Sequence, residues 1–157
     1  MKSDPVVARH LKDLLEKVRF LRSHQAITLA RLEELGTRLA IERGFQLAIQ
    51  NVLDITAHIL AAEGWNDWDE YRELGPKLAA HGVIPAQLGQ VLARMAGFRN
   101  LLIHEYAVIK TNRMRDYLRH HLDDFDDFAA AIQKYLRRPA RKMKTQHGHT
   151  AHTSASR

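Results

Sequence analysis

No cysteine occurs anywhere in the 157 residues. That excludes disulfides, thiolate nucleophiles and cysteine-based zinc sites together, and it fits a reducing cytoplasmic compartment. No apolar run approaches the length of a membrane span, so no membrane partner is expected. The opening Met1-Lys2-Ser3-Asp4-Pro5 leads into a charged amphipathic stretch without the apolar centre of a signal peptide. No segment alternates polar and apolar residues as a half-buried strand does. Acid is missing from one place in particular. From Arg137 onward there are six basic residues (Arg137, Arg138, Arg141, Lys142, Lys144 and Arg157) and no Asp or Glu. The rest of the chain holds 18 basic and 18 acidic residues, so the net charge of +6 belongs to the tail. It can attract phosphate non-specifically but marks no specific binding face.

What is present is an ordinary globular composition, 45% hydrophobic and 27% charged, in a length suited to one domain. Nearly every apolar residue before the tail follows a period near 3.6. Asp4 as N-cap and Pro5 at the first helical position open a helix whose stripe is Val7, Leu11, Leu14, Leu15, Val18 and Leu21. Thr28 can cap a short piece, and Gly36 suggests a second break. Thr37 to about Ala62 reads as the strongest helix, ended by Gly64. Asn66 or Asp67 is the expected cap of a helix carrying Trp68, Tyr71, Leu74 and Leu78, with a kink or restart at Pro76 and a stop at Gly82. Pro85 starts a helix with Leu88, Val91, Leu92, Met95 and Leu102 on its apolar side. A last helix is expected from about Asn112 to Leu136. Its run Asp123-Asp124-Phe125-Asp126-Asp127-Phe128 reads as an amphipathic face and not as a metal site. The expectation is all-α: an antiparallel up-and-down bundle of four to five helices over residues 1–138, followed by a basic, disordered tail over 139–157.

The segment that carries chemistry is Phe98-Arg99-Asn100-Leu101-Leu102-Ile103-His104-Glu105-Tyr106. On an ideal helix Asn100 and His104 stack, and the same line runs back through Gly97 and Ala93. This stripe of small and polar residues would let another backbone, including one from a second subunit, come close to His104. Arg99 lies about 140° from His104 and nearer the apolar stripe. A guanidinium there keeps its proton and needs a carboxylate, carbonyls or phosphate. Spacing alone leaves open whether its stem wraps around, the helix distorts, or two subunits complete a site.

The pattern Arg-x4-His-x-Tyr, with Asn directly after the Arg, resembles the signature of the HepT-like HEPN proteins. So does the run from Arg43 to Gln50 followed by Asp54-Ile55-Thr56-Ala57-His58-Ile59. Tyr71-Arg72-Glu73, Gly82-Val83-Ile84-Pro85 and Met95-Ala96-Gly97-Phe98-Arg99-Asn100 extend the resemblance over about residues 5 to 136. It implies a HEPN-like homodimer that cleaves RNA without a metal, with Arg99 and His104 as the catalytic pair and Asn100 beside them. It further implies the toxin of a toxin–antitoxin pair, whose cognate MntA-like minimal nucleotidyltransferase uses ATP to AMPylate Tyr106; the chain itself needs no cofactor.

The chemistry suits the residue types. The ribose 2′-OH is the nucleophile, a neutral imidazole can take its proton, and a guanidinium can stabilise the added charge on phosphorus. A 2′,3′-cyclic phosphate would result and DNA would resist. Two other readings stand beside this one: a non-catalytic HEPN subunit that binds and assists a nucleotidyltransferase, and an RNA binder working through the tail.

Three further features carry weaker expectations. Asp54 and His58, four apart, form a candidate dyad, and Asp54 is a candidate acceptor for Arg99. His147, His149 and His152 can collect metal only with little selectivity. Trp65 and Trp68 are expected to pack on the bundle.

Overall fold

The computed structural model describes residues 3–139, which form seven helices and, among the described residues, no strand. They are α1 (Pro5–Arg22), α2 (Leu29–Glu33), α3 (Leu35–Ala62), α4 (Tyr71–Ala80), α5 (Ala86–His104), α6 (Ala107–His120) and α7 (Leu122–Leu136). The all-helical expectation holds. The expected tail disorder and the three tail histidines fall outside the described residues.

α1 begins as its sequence dictates. The extended Asp4 accepts hydrogen bonds from the N–H groups of Val6 and Val7 at 3.0 and 3.2 Å, and Pro5 follows at a position that needs no donor. Val7, Leu11, Leu14, Val18 and Leu21 are buried, while Leu15 falls off the stripe and is exposed. α1 packs antiparallel along α3: Phe20 lies over Gly44, His10 meets Asn51 at 3.1 Å, and Asp4 meets His58 at 2.7 Å.

Thr28 caps α2 by accepting from the Arg31 N–H, as expected. The break before α3 falls at the extended Glu34 and not at Gly36, which lies in the first turn of α3 with open space around it. α3 spans 28 residues, about 42 Å.

Both α3 and α4 end on a left-handed glycine. Gly64 (φ 77°) and Gly82 (φ 74°) let the N–H groups of Trp65 and Val83 reach back to the carbonyls of Leu60 and Leu78.

The start of α4 differs from expectation. The Glu73 carboxylate accepts from the N–H groups of Asp69 and Glu70 at 2.9 and 2.7 Å, so the helix begins at Tyr71 and Trp68 precedes it. Pro76 removes the one bond that its N–H would have made to Arg72, and the helix runs through it unbroken. α4 and α5 form an antiparallel hairpin in which Gly75 faces Gly89 and Leu92 at a distance only glycine allows.

The expected last helix is two helices. His121 (φ −125°) separates α6 from α7, its imidazole between Asp116 at 3.4 Å and Asp124 at 3.6 Å. Arg22 at the end of α1 pairs with Asp123 at 2.9 Å and with Asp126, fixing α7 across the bundle.

Candidate functional site

The Arg99-to-Tyr106 segment forms the last turn and a half of α5 and the link to α6. His104 is the final residue of α5, Glu105 and Tyr106 are extended, and Tyr106 is the N-cap of α6. The Glu105 N–H still reaches the Leu101 carbonyl at 3.0 Å, and the Lys110 N–H reaches that of Tyr106 at 3.1 Å, so the link is a tight corner. No acid occupies the first turn of α6 and its N-cap side chain makes no capping bond. The N–H groups there are open to an anion.

Three aromatic rings hold this corner on the bundle. Phe98 stacks on Tyr117 at 3.9 Å, and both meet the edge of Phe45, at 5.3 and 6.0 Å. The Tyr117 hydroxyl is shifted above its ordinary range by burial, so the trio acts as core. A half-buried Lys110–Glu42 pair at 3.3 Å then pins the first turn of α6 to α3. Phe45, Phe98 and Tyr117 stand far apart in the sequence, and no local pattern signals that they meet under the motif.

The named residues fall into two environments. Asn100, His104 and Tyr106 are exposed, Tyr106 at 83%. Arg99 is half-buried on the core side, as its helical angle requires. Its Nε is sealed from solvent without a hydrogen-bond partner, a feature shared among the described residues only by Arg115. The acceptor expected from Asp54 is not used: that carboxylate accepts from Gln50 at 2.8 Å. Nor do Asp54 and His58 form a dyad, because His58 turns to Asp4. A buried donor without an acceptor is uncommon in a folded chain and is unfavourable until an acceptor arrives.

The stripe beside His104 is open as well. A Cβ placed on Gly97 would meet nothing within 4 Å. Large apolar side chains stand in solvent on both helices of the corner: Ile103 on α5, and Val108 and Ile109 on α6. Trp65, by contrast, stacks on His81 at 3.8 Å and packs on the core as expected, as does Trp68.

A hollow of about 410 Å³ lies between Arg94, Gly97, Phe98 and Asp124, and neither Arg99 nor His104 lines it. Among the described residues no group of three or more His, Asp or Glu side chains is arranged to hold a metal. No helix there is long and apolar enough to cross a membrane.

These features define a class: a helical bundle with an Arg-x4-His element running from the core to an open helix corner. Residues 9–132 match the family described as "Ribonuclease HepT-like", and the chain belongs to that family. It is 28% identical over 109 residues to a tRNA nuclease HepT of Aphanizomenon flos-aquae, covering 67% of this chain and 71% of that protein. It is 27% identical over 88 residues to an mRNA nuclease HepT of Shewanella oneidensis, covering 56% of this chain and 66% of that one. Its fold matches the tri-AMPylated Shewanella oneidensis HEPN toxin solved in complex with an MNT antitoxin. There the TM-score is 0.77 at 18% identity, over 84% of this chain and 99% of that one.

Proposed function

We propose that this chain is the toxin of a toxin–antitoxin pair, a metal-independent endoribonuclease that cleaves RNA by attack of the 2′-OH and is silenced by AMPylation of Tyr106. The observation that carries the reading is the half-buried Arg99, whose guanidinium makes no hydrogen bond or ion pair among the described residues, five residues before the exposed His104. A phosphate is the acceptor this guanidinium lacks. In the proposed reaction His104 takes the proton from the 2′-OH, and Arg99 stabilises the extra charge as the oxygen adds to phosphorus. Asn100, on the line of His104, orients the phosphate or the imidazole. The P–O5′ bond breaks, the 5′-oxygen takes a proton from water and leaves as a hydroxyl, and the product ends in a 2′,3′-cyclic phosphate.

Because the two groups project about 140° apart, a second subunit against the Gly97 stripe is the arrangement that brings both to one phosphate. The open space at Gly97 and the exposed apolar side chains around the corner support a homodimer or partner surface there. A cognate minimal nucleotidyltransferase would use ATP to add an adenylyl group to the exposed Tyr106 hydroxyl. That phosphodiester would sit at the uncapped N-terminus of α6, where helix N–H groups favour an anion. Its bulk and negative charge, two residues from His104, would keep RNA away.

The test is cleavage of RNA by the purified chain, its His104→Ala variant and its Arg99→Ala variant, with helicity followed by circular dichroism. Both variants should lose cleavage and keep their helices. Full cleavage by either would remove the role assigned to that residue. Incubation with the partner and ATP should add the mass of an adenylyl group to the peptide holding Tyr106; an unmodified peptide would remove the silencing mechanism.

A further inference from the structure

Two turns of α5 before His104, the helix faces a hollow that the proposed reaction does not use. It lies between α5 and the α6–α7 junction, and its volume of about 410 Å³ is in the range of small-molecule sites. Gly97 forms part of its wall. Seven residues bring a helix back to within about 20° of the same line, so Gly97 sits under His104, about 10 Å away along α5. A Cβ at Gly97 would meet nothing within 4 Å, and no side chain there stands between the hollow and that line.

The charged groups that line the hollow are not equally engaged. Asp116 and Asp124 both face the His121 imidazole, at 3.4 and 3.6 Å from its two ring nitrogens. Arg94 and Arg113 make no hydrogen bond or ion pair among the described residues. The acids thus have a cation between them, and the guanidiniums have no anion. A third donor joins them. Tyr117 lines the hollow, is only 6% exposed, and its hydroxyl has no hydrogen-bond partner among the described residues. Burial shifts that hydroxyl's pKa upward, and the cations that oppose the shift are Arg113 and Arg94. The stack on Phe98 fixes the ring, so the hollow is where the hydroxyl finds a partner. Two guanidiniums and a phenol around one space call for an anion with several oxygens, and phosphate is such an anion.

We propose that this hollow is a second phosphate site for the RNA strand, in which Arg94, Arg113 and the Tyr117 hydroxyl donate to a phosphate near the one that is cut. The three are positioning residues: they set the strand on the line that leads past Gly97 to His104. The inference rests on the ribonuclease reading and adds to it the hold on a flanking phosphate. In a dimer closed over the Gly97 stripe, the hollow opens into the same cleft.

The test is binding of a fully 2′-O-methylated RNA oligonucleotide to the full-length chain, followed by fluorescence anisotropy. Such RNA cannot be cut by its own 2′-oxygen, so binding is read whether or not the chain is a nuclease. Tyr117→Phe should bind about tenfold more weakly, the loss of one hydrogen bond to a charged group, with its melting temperature unchanged. Arg94→Gln, Arg113→Gln should bind more weakly still and flatten the slope of log affinity against log salt by about 0.7, one phosphate's share. Arg9→Gln, Arg72→Gln, which removes the same charge from α1 and α4, should leave binding unchanged. Wild-type affinity in Tyr117→Phe, or an equal loss in the Arg9, Arg72 variant, would overturn the proposal. So would AMP binding as tightly as the oligonucleotide, since the hollow would then serve a free nucleotide. Loss of self-association by Tyr117→Phe in sedimentation velocity would also overturn it, since a second copy would then fill the hollow. The expected binding pattern together with unmodified RNA left uncut would sink the ribonuclease reading and keep this site.

Discussion

Arg99→Met should separate stability from function. The sealed Nε of Arg99 has no acceptor, and a buried donor left unmade costs about 1–3 kcal/mol. Arg99 as a whole is only half-buried, so the rest of the group keeps access to water and the lower end applies, about 1 kcal/mol. Methionine keeps an unbranched apolar stem, ranks beside arginine in helix propensity and carries no donor. The variant should therefore melt higher by about 2–4 °C for a chain of this size, while RNA cleavage is lost. Arg115→Met is the control, because its Nε is orphaned in the same way: it should also gain stability yet keep cleavage. Thermal melts followed by circular dichroism, paired with a cleavage assay, read both. A lower melting temperature for Arg99→Met would refute the reasoning, since Arg99 would then be a structural tie and not a group waiting for phosphate.

Other outcomes follow from the packing and the caps. Gly75→Ala would put a Cβ 2.5 Å from the Gly89 oxygen and the Leu92 Cβ; urea titration should show a loss of about 1–3 kcal/mol in spite of the better helix former. Gly97→Ala meets nothing within the chain and should stabilise the monomer by about 0.5–1 kcal/mol. It should also weaken self-association in sedimentation velocity, and unchanged association would put the subunit contact elsewhere. Burial pushes the Asp4 carboxyl up, but the N–H groups of Val7 and Val6 and the contact with His58 outweigh it and hold its pKa below the ordinary 3.8. A carboxyl depressed by folding contributes stability above its unfolded pKa and loses it as pH falls toward the folded value. Wild type should lose this contribution below about pH 4 and Asp4→Asn should not, as acid-limb melts will read. Tyr106→Phe alters an 83% exposed ring, so its melt should not move, while mass spectrometry should find no adenylyl group added.

Features written locally were legible in the sequence. Asp4 and Pro5 announce α1, Thr28 announces α2, and Gly64 and Gly82 stop their helices because few other residues adopt a positive φ. The angle of Arg99 away from His104 also came from spacing alone. What could not be read depended on distant partners. The α6–α7 break at His121 contains neither glycine nor proline, and buried residues at 114, 118, 122, 125, 129 and 132 keep one helical phase across it. His58 lies four residues from Asp54 but bonds to Asp4, which comes from another helix end. The aromatic trio under the motif joins residues 45, 98 and 117, and no local pattern pairs them. Glu73 starts α4 by gathering N–H groups upstream, which made Asn66 and Asp67 look like the cap.

In the proposed reaction RNA supplies the nucleophile and the protein supplies an imidazole and a guanidinium, with no metal. The most direct measurement uses an RNA oligonucleotide carrying one 2′-deoxy residue at the cut position, incubated with the purified chain in EDTA. The all-ribose oligonucleotide should be cut to a 2′,3′-cyclic phosphate, and the substituted one should stay whole at that position. Cutting at the deoxy position, or cutting that EDTA abolishes, would contradict it.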